Sequence, residues 1–495
     1  MNGWKGRKRF ADYFVISLLC LQIPLDADPP VQVSSPTASA SVLNGGSRPR
    51  ARRHPIRRAR TRIEGAIRRT SPNPRVQQPA TQALPAQAPE IKLPAPPPTP
   101  SPEASRADRF INAAARVMTK SWRGNIFVWL PAISTDPNTG PTYGLMPVVV
   151  LADPLTHHIR NLLAPSYTYN SLFGQTGTMR YYWYPTDASQ LYAAASLSQH
   201  TNREMKVRYE NSSAHEGVLY LRSEVFYNAD ASYRFFGIGP QTHEGDETGY
   251  VGKTSIARAA IGANFAHSWR AIFGARFQRL ATEQNIIPNV VDLTTRFPDI
   301  SGVGTNNTVT SEFRLLWDSR DSPVTPSRGS SGELRVEKTS IALGSNSDFL
   351  RYGLEGKRFF LWKNPRQVTV VHGLYEWCNG PRIPFYELPS LGGRSTLRGY
   401  GEGRLVDQGR LVMNLEQRMT LSSQELMGVF TNFEVAPFVD MGTVFPTVLD
   451  IQRKNFRPVY GAAFRAAVKP NVVGDVEVGV GKEGPAVFVD INYPF

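Results

Sequence analysis

Few residues in this chain are spaced for covalent chemistry. The serine-bearing glycine turn Gly329-Ser-Ser-Gly332 lacks the Gly-x-Ser-x-Gly spacing that raises a serine nucleophile on a strand-to-helix elbow. His157 and His158 are adjacent, so they cannot face one metal from successive turns of a helix, as an i, i+4 pair does. The cysteines number two, Cys20 and Cys378, too few for a disulfide scaffold. Cys378, at the end of a strand pattern, reads as a small apolar residue rather than a nucleophile. These patterns imply no catalytic residue, no metal and no cofactor. The spacing instead points to non-covalent chemistry. Charged residues recur at alternate positions of apolar stretches: Glu416 and Arg418 in RLVMNLEQRMT, Glu434 and Asp440 in NFEVAPFVDMG. Between these and an upstream segment runs a connection of about thirty residues, too long for a simple hairpin. It carries Gly392, Gly393, Gly399, Gly401 and Gly403, which allow sharp, close backbone paths.

The elements that must hold these residues are strands. From Pro141 to Phe495 the apolar period is two. In VFVDINYPF, Val487, Val489, Ile491, Tyr493 and Phe495 share one face and Phe488, Asp490, Asn492 and Pro494 the other. Apolar-out, polar-in alternation over about ten residues is the pattern of a transmembrane barrel strand. A soluble sandwich alternates too; the number of segments and the terminal aromatics Tyr493 and Phe495, read as an assembly signal, favour the membrane. About sixteen segments are expected, the first being PTYGLMPVVVLA from Pro141, an even number as in bacterial barrels. The long connections, Asn228–Gly249, Thr282–Asn307, Asn379–Gly409 and Phe445–Arg457, all follow odd-numbered strands, so all open at one end with the termini at the other. No run of 18 or more apolar residues suggests a spanning helix.

Ahead of the barrel the composition changes. Lys5, Arg7, Lys8 and Arg9 precede the apolar Tyr13–Leu25, a secretory signal with cleavage expected after Ala27, giving a signal peptide over 1–27. Residues 28–105 hold many of the 39 prolines and few large apolar side chains, hence a disordered Pro/Arg-rich linker. Eleven Arg face one acid, Glu64, between Arg48 and Arg75, so most of the formal charge of +15 belongs to this arm. A nucleic-acid groove on the main body is therefore not expected. Residues 106–140 are expected to be a short amphipathic helix, Arg106 to Trp122, and a lead-in, with 141–495 the barrel.

Four stretches carry a resemblance. RFFGIGP from Arg234, LLWDSRDSPVTPSRGSSGEL from Leu315, LPSLGGRSTLRGYGEGRL from Leu388 and FVDMGTVF from Phe438 appear in the order found in the Bam/Tam-type outer-membrane assembly and transport superfamily, also called the bacterial surface antigen family. The chain resembles that family over roughly Phe235 to Phe495. The resemblance implies an integral outer-membrane barrel whose long loop folds into the lumen. There the loop arginine, here Arg398, meets wall carboxylates, here Glu416 and Asp440, with Gly399 and Tyr400 completing the loop tip. Asp318, Arg320 and Asp321 match a block at a strand end and read as structural. Pro147 and Pro494, taken as lying in the first and last strands, suggest a weak seam, where family members are thought to open toward lipid. The implied partners are outer-membrane lipid and client outer-membrane proteins or a separate periplasmic protein, with the N-terminal arm and C-terminus periplasmic. One departure stands out: relatives carry periplasmic POTRA domains of strands and paired helices, and residues 28–105 have no apolar pattern to build one. The expected function is outer-membrane protein or lipid assembly or translocation. The alternatives are a passive plugged barrel, either pore or surface antigen, and an outer-membrane lipase. Nothing resembles the patatin-type lipase domain that some relatives carry.

Overall fold

The structure, a computed structural model, describes residues 119–495 apart from 123–124, 153–158, 187, 267, 324, 427–428, 469–471, 492 and 495. The expected signal peptide, the expected disordered Pro/Arg-rich linker, most of the expected helix, His157, His158 and Phe495 lie outside the described residues.

Among the described residues, eighteen antiparallel strands form a closed barrel. They are β1 (Asn125–Asp136), β2 (Gly140–Ala152), β3 (Ile159–Leu163 continued by Ser166–Asn170), β4 (Gly174–Thr186), β5 (Ser189–Ser198), β6 (Arg203–Ala214), β7 (Leu219–Phe235), β8 (Thr248–Phe265) and β9 (Trp269–Glu283). The second half comprises β10 (Thr305–Asp318), β11 (Gly329–Thr339), β12 (Phe349–Leu361), β13 (Gln367–Asn379), β14 (Gly409–Leu426), β15 (Val429–Phe445), β16 (Arg457–Val468), β17 (Val472–Gly481) and β18 (Gly484–Ile491). Each strand pairs with its sequence neighbour, and β18 returns to β1.

Alternation decides which side chains enter the lumen. On β14, Val412, Asn414, Glu416 and Arg418 are buried, while Met413 and Leu415 are exposed. On β17, Asp475 and Glu477 are buried and Val476, Val478 and Val480 exposed. Leu145, Phe273, Phe277, Leu354 and Phe464 extend the exposed apolar surface around the barrel. Such a continuous apolar belt is a liability in water and the expected lipid-facing surface of a transmembrane barrel.

Two strands exceed the sixteen expected from sequence. The first is β1, assigned from sequence to the lead-in; Thr119–Trp122, assigned to the helix, is also extended and pairs with the start of β1, Thr119 opposite Val128 and Trp122 opposite Asn125. A helical spacing over a short window yields to the hydrogen bonds offered by an adjacent strand edge. The second is β7, whose polar second half, YNADASYRF, resembles a loop in composition. Both omissions precede the long connections, so the numbering shifts by two and the parity survives. Connections 236–247, 284–304, 380–408 and 446–456 follow β7, β9, β13 and β15 and emerge at one end.

The added first strand also relocates the seam. Pro147 lies on β2, opposite Trp129 of β1, one strand in from the closure. Pro494 lies beyond the end of β18. Neither proline interrupts the seam ladder. Instead the seam is short: among the described residues β1 and β18 share one register pair, Thr135 with Val489, whereas β1 pairs with β2 from Ile126–Val150 to Asp136–Gly140.

Candidate functional site

The 380–408 connection turns into the lumen. A two-residue ladder, Ser390–Leu391 with Leu405–Val406, closes its base. Gly392 and Gly393 then take φ of 120° and 79°, open to glycine but strained for other residues. A side chain at Gly392 would overlap the Gly401 carbonyl. The loop brings its own core: Leu391, Leu397, Tyr400 and Leu405 pack on Leu374, Val412, Phe438, Val444 and Val459 of the wall. Toward β7 and β8, Ile383, Phe385, Leu388 and Val406 pack with Phe235, Tyr250, Leu293 and Cys378. Cys378 is a buried packing residue there.

At the loop tip, Arg398 is fully buried. Its Nε and Nη2 donate to the two carboxylate oxygens of Asp440 on β15, at 2.9 and 2.7 Å. Its Nη1 donates to Glu416 of β14 at 2.7 Å and to Glu477 of β17 at 2.9 Å. The Arg398 amide also donates to Asp440. One guanidinium thus ties the loop to three strands, which a lysine, a point charge on a flexible stem, could not do in one geometry. The Phe438 ring lies 3.4 Å from the guanidinium carbon and covers its open face. Gly399 lies against β17, where an added Cβ would meet the Gly481 amide at 2.7 Å. Tyr400 does not flank the carboxylates; its ring rests on Gly481 and its hydroxyl accepts a hydrogen bond from the Lys482 amide at 3.1 Å.

The site is larger than the triad considered from sequence. Arg465 of β16 donates to Glu416 at 2.6 and 3.0 Å and to Glu477 at 2.8 Å, and lies 3.0 Å from Asp475. Arg394, earlier in the loop, donates to Asp475 and Glu477. Arg418 donates to Glu416 at 2.8 Å. The four arginines and four carboxylates therefore balance in charge, which makes burial tolerable. The signal that could have found Arg465, Asp475 and Glu477 is the alternation itself: each is a charge at an inward position of an otherwise apolar strand. A second tether sits at the loop's far end. Arg404 stacks 4.5 Å from the Phe236 ring, donates from Nε and Nη2 to the two carboxylate oxygens of Glu483 at 2.8 and 2.6 Å, and reaches Thr242. Asp318, Arg320 and Asp321 brace the 319–328 turn, Arg320 clasping Asp318 at 3.0 and 2.7 Å and Asp321 accepting from the Ser327 amide.

The C-terminal segment departs from alternation. Strict period two puts Tyr493 outward with Val487 and Val489, but β18 ends at Ile491 and the chain turns inward. The Tyr493 hydroxyl donates to Glu434 at 2.9 Å, and its ring lies 3.4 Å from the Arg418 guanidinium and 5.1 Å from that of Arg465. Once the ladder stops, pleating no longer dictates direction, and buried cations draw the ring face. Among the described residues no cluster of three or more His, Cys, Asp and Glu is placed to hold a metal ion.

A closed barrel with an apolar exterior and an arginine-locked loop in its lumen defines an outer-membrane β-barrel protein. The Omp85 superfamily domain matches residues 187–467, more than half of the sequence, and the chain belongs to that superfamily. Among solved structures it is similar to BamA from Haemophilus ducreyi lacking POTRA domains 1-3, with 15% identity, 78% of this chain and 77% of that chain covered, and a TM-score of 0.48. It is also similar to CdiB from Acinetobacter baumannii (13% identity, 74% and 59% covered, TM-score 0.40) and CdiB from Escherichia coli (11%, 76% and 63%, 0.41), spanning less than two thirds of either CdiB chain. No curated protein sequence matches it.

Proposed function

We propose that this protein is an outer-membrane assembly or translocation barrel that acts at its seam while the Arg398 lock holds the loop in the lumen. Its clients are outer-membrane proteins, or lipid, handed on directly or by a separate periplasmic protein. Its N-terminal arm and C-terminus face the periplasm. The observation that carries the reading is the seam. The outer edge of β1 pairs with Thr119–Trp122 at one end and with Val489 near the other, and among the described residues no strand pairing covers that edge along Trp129–Ser134. Unpaired strand edges are templates for further strands.

A second reading, a passive plugged barrel, draws on the dense packing of the loop against β13–β16. In-cell photocrosslinking separates the two. Probes at Ile133 and Val489 are expected to trap nascent outer-membrane polypeptides, and a Thr135→Cys/Val489→Cys disulfide is expected to abolish the adducts until it is reduced. Recovery of no polypeptide with either the open or the stapled seam would favour the plugged barrel.

A further inference from the structure

The lock fills only one side of the lumen. The other side, lined by β1–β9 and by the loop residues Leu388, Glu402 and Val406, holds an open cavity of about 800 Å³. That volume falls within the usual range for small-molecule sites, roughly 300–1,000 Å³. Its wall has a particular chemistry. On β4 and β5, Thr176 stands opposite Ser198 and Thr178 opposite Ser196, with hydroxyl oxygens 2.8 and 2.9 Å apart. Below them Tyr182 stands opposite Tyr192, ring centroids 4.9 Å apart. A hydroxyl has one donor and two acceptor sites, so each Ser–Thr pair, after bonding internally, still offers a donor and acceptors to the lumen. The neighbouring cation Arg180 donates to Ser166 of β3. The lining also holds four cations and four carboxylates, among them Arg203, Lys206, Asp230 and Glu402, so it is balanced in charge and both donates and accepts, which suits an uncharged polyol rather than an ion of either sign.

The cavity has a side exit. Along β2, β4 and β5 its lining follows strand alternation: Met146 and Val148, Thr176 and Thr178, Ser196 and Ser198. It includes four consecutive residues at two places: Ser232–Phe235, where β7 runs past the end of its pairing with β6, and, on β1, Pro131, Ala132, Ile133 and Ser134. Successive side chains on a strand point to opposite faces, so a cavity bordered by all four passes around the strand's edge. The edge of β1 toward β2 is paired throughout. The exit is therefore on the seam side, where Ile133 is 65% exposed toward the lipid-facing surface.

We propose that this cavity binds the hydroxyl-rich, uncharged head of a membrane amphiphile, such as a glycolipid, whose acyl chains leave through the seam beside Pro131–Ser134. Head and tail then occupy a polar lumen and an apolar belt on either side of one unpaired strand edge. The same wall chemistry would accept a free oligosaccharide, so the test separates the two sources. The inference rests on the same seam as the proposed function but requires no polypeptide client, and ligand retention is read independently of client adducts.

The full chain is placed in phosphatidylcholine nanodiscs doped with diglucosyl diacylglycerol, and bound lipid is read by native mass spectrometry after detergent release. One glycolipid per barrel is expected, retained at least tenfold over phosphatidylcholine. The Thr178→Val/Ser196→Ala variant, which leaves the barrel wall close to its original volume, is expected to lose that preference. The Thr135→Cys/Val489→Cys disulfide is expected to block loading. Heat-modifiable migration on gels checks that each variant is folded, and Ser198→Ala supplies a milder change at the same ladder. Maltotriose is the soluble arm. Equal retention of glycolipid and phosphatidylcholine would overturn the proposal. So would binding of maltotriose with an affinity matching the glycolipid's and unaffected by the staple.

Discussion

Replacing Arg398 with methionine leaves an unbranched, shorter side chain and removes its charge. Among the described residues, Asp440 makes its ion pair with Arg398, whereas Glu416 and Glu477 also bind Arg465. The variant therefore leaves one carboxylate buried without its cation, plus a net negative charge in the cluster. Breaking a buried pair by removing one partner costs about 3–5 kcal/mol. If the loop responds by undocking, its opening equilibrium rises by about two to three and a half powers of ten, at roughly 1.4 kcal/mol per decade. Hydrogen exchange reads this directly at the amides of Gly393 and Tyr400, which donate to Tyr400 O and Leu397 O. Adding Asp440→Leu should recover much of the protection, because it removes the stranded carboxylate. Exchange in Arg398→Met within about threefold of the parent would refute the argument, as would a double variant whose loss equals the sum of its single losses.

Other expectations follow from the same contacts. Tyr493→Phe should weaken the C-terminal segment by roughly 1.5–3 kcal/mol through its bond to Glu434; Tyr493→Ala should cost more by also removing the Arg418 stack, both read as exchange in β18. Gly479→Ala should expose the loop to protease while the barrel stays folded, because the new methyl group overlaps the Arg398 carbonyl. Burial, with Asp136 adding to it, pushes the Glu402 carboxyl in the loop from 4.5 up to about 7. A carboxyl raised in the fold binds its proton more tightly there than in the open loop, so loop protection should be full below about pH 4.5 and fall as pH rises to about 7. Exchange at 400–404, corrected for intrinsic rates, should show this fall, and Glu402→Gln should flatten it.

The barrel was legible because transmembrane strands write their environment at every second residue. Met413 and Leu415 against Asn414 and Glu416 are enough to orient β14, and the odd-numbered placement of the long connections follows from antiparallel neighbours alone. Where alternation weakens, the reading failed for physical reasons. The polar end of β7 faces a wet lumen and so looks like a loop, and β1 lacks a marked polar face. Missing β1 then put Pro147 at a seam it does not touch.

What the residues determined by themselves was local and periodic: which positions face lipid, which charges enter the lumen, and that the glycine-rich connection is too long for a simple hairpin; that it folds inward around Arg398 came from the family resemblance. What only the tertiary structure decided was which charges meet. Arg398, Asp440 and Glu477 come from a loop and two strands far apart in sequence, and a buried guanidinium settles where carboxylates converge in space. The inward turn of Tyr493 and the cavity edging around Pro131–Ser134 are likewise consequences of closure. Pleating sets a side chain's direction while the ladder lasts; beyond its end, the direction depends on what the closed barrel has placed there.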